Sequence, residues 1–200
     1  RDRELWRSDG TEAGTVLVSK PHPEAPSAQL GILQVVGPHL WFGVFADGRN
    51  ELWRSDGTSM GTGSLALLAD TSHYARLGIP GAAAQAFVAF QGQVYFRGYH
   101  EVLGSELWRT DGTPAGTQIA ADINPGTMDF SPEPVSSNPD RFVVLNDKLF
   151  MIGDLPRTSS LFGARPRGVW RVGMPAPDGP LPSTNGVRMV KDINPIGHGV

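Results

Sequence analysis

At 200 residues the chain is long enough for one substantial domain, and too long to be a small disulfide-stapled scaffold. A net charge of −3 with scattered Lys and Arg excludes the basic stripe of a nucleic-acid binder. No apolar run reaches the ~20 residues that cross a bilayer as a helix. The absence of cysteine removes disulfides, thiolate metal sites and thiol nucleophiles. Glycine and proline, 25 and 17 residues, are the abundant types, and they suit short strands joined by many turns.

An internal repeat organises the chain. ELWRSDGTEAGT at Glu4–Thr15 returns as ELWRSDGTSMGT at Glu51–Thr62 and as ELWRTDGTPAGT at Glu106–Thr117. GVWRVG at Gly168–Gly173 is a degraded fourth copy that has lost the Glu and the DGT turn. The period, about fifty residues with variable insertions, matches one propeller blade per repeat.

In chain order, the first unit shows two strands, ELWRS and TVLVS. The second reads LGILQVV, a Gly37-Pro38 turn, HLWFGVFA, a loop, ELWRS, a turn and SLALLAD. In the third, AFVAF and QVYFRGY flank Gln91-Gly92, a two-residue hairpin signal, and ELWRT and TQIAADI follow. RFVVL, an Asn146-Asp147 turn, KLFMIGD, a long loop, VWRVG, the Pro-rich loop Met174–Gly186 and VRMVKDI make the fourth. The expected fold is therefore all-β: four-stranded antiparallel blades of a β-propeller, about three and a half of them. Within a single repeat domain over 1–200, they are a half blade at 1–20 and blades at 28–70, 86–123 and 141–193. The opening half blade leaves an edge to pair. It suggests a segment of a longer protein, with neighbouring blades or a second copy completing the ring.

Strand alternation puts Glu, Trp and Ser of ELWRS on one face, and Leu and Arg on the other. Stacked blades bury both faces, so Trp6, Trp53 and Trp108 are expected to fill the gaps between neighbours. Asp9, Asp56 and Asp111 are expected to bond amides across the bend, with Gly10, Gly57 and Gly112 supplying positive φ. Glu4, Glu51 and Glu106 recur once per blade, which is the mark of a structural role, because paired catalytic carboxylates must be asymmetric.

The string E-L-W-x-x-D-G-T-x-x-G-T, with A-D-I-N-P-G at Ala121–Gly126 and K-D-I-N-P at Lys191–Pro195, resembles the ELWxxDGT repeat family. These are bacterial, often myxobacterial, proteins expected to be exported. The resemblance spans essentially the whole chain. It implies a propeller-like fold and an extracellular or cell-surface setting, and it implies no particular reaction. The turn is also similar to the Asp-box of sialidase-type propellers, with the spacing changed by one residue.

Function is expected to be non-catalytic: an interaction or scaffold module without a cofactor, contacting protein or polysaccharide. Propellers bind through loops at one end of the ring. The long loops here are Pro21–Gln29, Thr71–Gln85, Asn124–Asp140 and Leu155–Gly168. Candidate contacts on the later three are Tyr74, Arg76, Phe130, Phe162, Arg165 and Arg167. The rival reading is a propeller-type hydrolase or lyase acting on glycans, with or without calcium. Asp122, Asn124, Asp192 and Asn194 are its weak calcium candidates, because calcium needs six to eight oxygens. The five histidines form no metal-binding pair.

Overall fold

The computed structural model describes residues 4–25, 28–70, 84–127, 134–155, 167–172, 183–184 and 187–192. They form antiparallel β-sheets in four groups, taken here in chain order. Sheet 1 pairs β1 (Leu5–Arg7) with β2 (Val16–Ser19). Sheet 2 contains β3 (Gln29–Leu30), β4 (Gln34–Val36), β5 (His39–Ala46), β6 (Arg49–Ser55) and β7 (Gly63–Asp70). Sheet 3 is β8 (Gln85–Phe90), β9 (Gln93–His100), β10 (Gly104–Thr110) and β11 (Gln118–Ala121). Sheet 4 is β12 (Asp140–Leu145), β13 (Lys148–Asp154), β14 (Arg167–Val172), β15 (Ser183–Thr184) and β16 (Val187–Asp192). All-β structure in meandering four-stranded units is what the repeat predicts.

Two-residue turns set the hairpin registers. Gln91-Gly92 and Asn146-Asp147 have positive φ at both residues, which matches the twist of the flanking strands. The stretch between HLWFGVFA and ELWRS, expected as a loop, is instead a tight Asp47-Gly48 hairpin of the same kind. LGILQVV is two short strands rather than one, both paired to β5. The Gly31 amide donates to the Gly43 carbonyl (2.8 Å), and Ile32 and Leu33 bow outward into solvent between them.

Every sheet carries a bulge at the same place, opposite the step into the motif Trp. Leu5 and Trp6 face Ser19 and Leu17, which leaves Val18 as the extra residue. Leu65, Ala120 and Val190 are the extra residues opposite Leu52/Trp53, Leu107/Trp108 and Val169/Trp170. A bulge turns one additional side chain to the same face and tightens the local twist.

The core lies between sheets. Leu5 and Val18 of sheet 1 pack on Trp53 and Phe42 of sheet 2. Leu52 and Leu65 of sheet 2 pack on Trp108 and Phe96 of sheet 3. Leu107 and Ala120 of sheet 3 pack on Trp170 and Met151 of sheet 4. One contact is thus built three times: the motif Leu and the bulge residue of one sheet meet the motif Trp of the next. Each sheet therefore has a Trp face, pointing back along the chain, and a Leu face, pointing forward. At the inner strands the Gln34 amide adds a peptide-like clasp, accepting from the Phe87 amide (3.0 Å) and donating to the Phe87 carbonyl.

Candidate functional site

The DGT turns are closed by their own side chains. In the second copy, Asp56 Oδ1 accepts from the Thr58 amide (2.8 Å) and hydroxyl (2.7 Å). The Gly61 amide donates to Thr58 Oγ1 (3.0 Å), and the Thr62 hydroxyl donates to the Thr58 carbonyl (2.5 Å). Ser55 Oγ accepts from the Gly57 amide (3.0 Å). The first and third copies repeat this network around Asp9 and Asp111. Hydrogen bonds from the threonine hydroxyl, then the threonine amide, hold all three Asp carboxyls below their ordinary value.

The second glycine of the motif has a steric role. A Cβ on Gly14, Gly61 or Gly116 would stand 1.9, 2.1 or 2.0 Å from the Oδ1 of Asp9, Asp56 or Asp111. The carboxylate folds flat over that bare Cα, so glycine here makes room for a side chain.

The three motif glutamates meet three different surroundings. Glu4 accepts from Trp6 Nε1 (3.0 Å) and pairs with Lys20 (3.5 Å). Glu51 accepts from Trp53 Nε1 (2.8 Å), bonds His22 Nε2 (3.0 Å) and pairs with Arg49 (3.5 Å). Burial works against its ionisation, but the His22 and Trp53 hydrogen bonds, with the charge on His22, outweigh it and keep its carboxyl below the ordinary value. Glu106 is wholly buried and turns instead to the chain leading into sheet 4. It accepts from the Ile123 amide (2.9 Å), the Ser137 amide (2.8 Å) and the Ser137 hydroxyl (2.6 Å). Burial dominates there and pushes its carboxyl up to about 7. With Glu106 so engaged, the buried Trp108 Nε1 has no hydrogen-bond partner among the described residues.

Beside the His22–Glu51 pair lies a cleft of about 440 Å3 between the segment after β2 and the β5–β6 hairpin. Its wall includes Trp53, Pro23 and Ala46, and its polar rim includes His22, Glu24 and Arg49. His22 sits edge-on to the Trp53 ring, with centroids 6.0 Å apart. The sequence signal for this place is slight: a loop histidine 29 residues from the glutamate it meets.

Of the loop candidates, Arg167 is described. It begins β14, pairs with Asp154 (3.2 Å) and donates to the Asn138 carbonyl (3.0 Å), so it fastens sheet 4 to its entry segment. Tyr74, Arg76, Phe130, Phe162 and Arg165 lie outside the described residues, as does Asn194. Asp122 is half-buried, and burial raises its carboxyl above the ordinary value despite a bond from the Asn124 amide. Asn124 is buried and donates to the Leu155 carbonyl (3.3 Å). Asp192 ends β16. Among the described residues no three His, Asp or Glu side chains gather as a metal site.

No family model, no curated protein and no solved structure matches the chain.

Proposed function

We propose that this chain is a run of β-propeller blades acting as a non-catalytic interaction module of an exported bacterial repeat protein. Its partner is a protein or a polysaccharide, met through loops at one end of the ring. What carries the reading is the division of labour between repeated and unrepeated residues. The Asp, Thr and second Gly of the motif close the turn alike in each copy, and its Leu packs between sheets in each. His22, Glu24 and Arg49, which lie outside the repeated motif, rim a cleft walled by the Trp53 indole. Aromatic and Arg side chains of that kind anchor partners well.

Thermal unfolding followed by tryptophan fluorescence, with a panel of soluble glycans, tests this directly. A ligand at 100 times its Kd adds about 2.7 kcal/mol, or roughly 5–10 °C at this size. The expected result is a shift with a glycan that His22→Ala or Arg49→Ala removes. A panel of glycans and candidate protein partners without effect would leave a spacer and retire the binding module.

The same cleft favours one rival. The His22–Glu51 pair beside Glu24 could serve a propeller hydrolase or lyase acting on glycans, with or without calcium. Product release from a glycan, abolished by Glu24→Gln with the fold unchanged, would establish that reading in place of the first.

A further inference from the structure

The motif Glu and Trp stand two residues apart on one face of a strand, and in two copies they bond each other. The Trp6 indole N–H donates to Glu4 at 3.0 Å, and that of Trp53 donates to Glu51 at 2.8 Å. In the third copy both groups are buried and the bond is absent. Glu106 is turned to the Ile123 amide, the Ser137 amide and the Ser137 hydroxyl. Trp108 Nε1 has no hydrogen-bond partner among the described residues. A buried donor left unmet carries a cost, and rotation of the Glu106 side chain toward its own Trp would remove it. The residue facing Glu106 across the strands is Gly98, where a Cβ would stand 2.9 Å from Trp108 Nε1. Its bare Cα leaves space beside the indole N–H.

Nothing around Glu106 favours its ionised form except the three donors it holds. Burial raises its carboxyl to about 7, and Asp122 beyond β11 adds to that rise. His100, at the end of β9, acts on Asp122. On sheet 4 the charged groups nearest Ser137 are already paired with each other: Arg167 lies 3.2 Å from Asp154, which accepts from Asn138 (2.9 Å). The entry residues Val135–Asn138 carry no charge. Ser105 holds those entry residues independently of Glu106. Its carbonyl accepts from the Ser137 and Asn138 amides (3.1 and 3.0 Å), and its amide donates to Ser136 Oγ (3.0 Å).

We propose that Glu106 is a pH-sensitive latch with two seats: in the one seen it fastens Ile123 and Ser137 to sheet 3, and in the other it takes the Trp108 indole N–H, as Glu4 and Glu51 take theirs. Ionisation is the trigger, because loosening the segment admits water to a carboxylate that has no cation beside it. The closed seat is fully favoured below 4.5, the ordinary value, and loses that advantage as pH rises through about 7. Ser105 keeps the segment attached when the latch opens, so the change is local. It works independently of any glycan or protein partner.

Amide hydrogen exchange by NMR from pH 5 to 8 tests this, with the Ile123 amide as reporter because Glu106 is its acceptor. Its protection factor is expected to fall by about tenfold or more between pH 5 and 7 and to level off above that, while Phe96 and Leu107 in the flanking strands keep theirs. Over the same range the Trp108 indole N–H resonance is expected to move downfield as it gains an acceptor. Glu106→Gln should give Ile123 a protection factor that does not change with pH. Constant protection of Ile123 in the wild type would overturn the latch, and so would the wild-type pH dependence persisting in Glu106→Gln. Loss of protection with the Trp108 resonance unmoved would remove the second seat and with it the proposal. Should Glu106→Gln lose the wild-type melting transition, the two wild-type readings decide without it.

Discussion

The Asp turns show how far a few contiguous residues can specify structure. Asp56, Thr58, Gly61 and Thr62 bond within four residues of one another, so the loop needs nothing from the rest of the chain. Gly61→Ala drives a methyl into the Asp56 carboxylate and frees both bonds from Thr58. The expected cost is about 1–2 kcal/mol in a denaturant melt, with Gly116→Ala costing the same. Equal losses from two sites in different sheets would show that the motif acts alone. At the same scale the carboxyls set opposing pH trends. Asp9, Asp56 and Asp111 titrate below their ordinary 3.8 in the fold, so the stability they contribute is present above 3.8 and is lost as pH falls through their folded values. Glu106, raised from 4.5 to about 7, acts the other way: its contribution is full below 4.5 and is lost as pH rises through about 7, a change of about 3 kcal/mol. Urea melts from pH 4 to 8 should show that decline. Glu106→Gln, which cannot ionise, should flatten it, and an unchanged slope would assign the titration elsewhere.

At the scale of strands and sheets, the four units were legible because short apolar runs and turn pairs such as Gln91-Gly92 and Asn146-Asp147 stand next to each other in sequence. The Asp47-Gly48 hairpin carries an equally good turn signal, but the repeated motif begins only at Glu51, two residues after β6 starts at Arg49, so the repeat by itself places the strand start too late. The bulge opposite each Trp was not legible at all. Residues such as Val18 and Ala120 are ordinary strand residues, and only the pairing with the neighbouring strand shows them to be extra. The repeated contact predicts unequal costs for like substitutions. Leu52→Ala, removing a side chain with no exposure, should cost about 2–5 kcal/mol, and Trp53→Ala about 3–5. Trp6→Ala at the exposed end should cost the monomer much less. Denaturant midpoints at constant m-value would check the series. Equal losses at Trp6 and Trp53 would show that the two indoles are in fact equally buried.

For the molecule as a whole, sheets stacked through near-identical contacts behave as a one-dimensional array, in which each unit is stabilised by its neighbours. Leu107→Ala weakens the contact between sheets 3 and 4. Hydrogen exchange over 140–154 should then accelerate more than over 39–55, whereas uniform acceleration would mean that the sheets open together. The Glu106 bonds to Ser137 and Ile123 join the same two sheets through the entry segment, so this end is held both by packing and by a buried carboxyl.

What the sequence determined alone is whatever closes within a few residues: the self-bonded Asp turns, the hairpins, the alternation that gives each strand two apolar faces, and from these an all-β chain of repeated sheets. The tertiary structure decided which face meets which and what became of each repeated side chain. Glu4, Glu51 and Glu106 stand in the same motif, yet one meets solvent and Lys20, one His22 and Arg49, and one Ser137 and Ile123. The partners of the last two, His22 and Ser137, stand 29 and 31 residues away on connecting segments. The path of those segments depends on how whole sheets stack, and no local pattern records it.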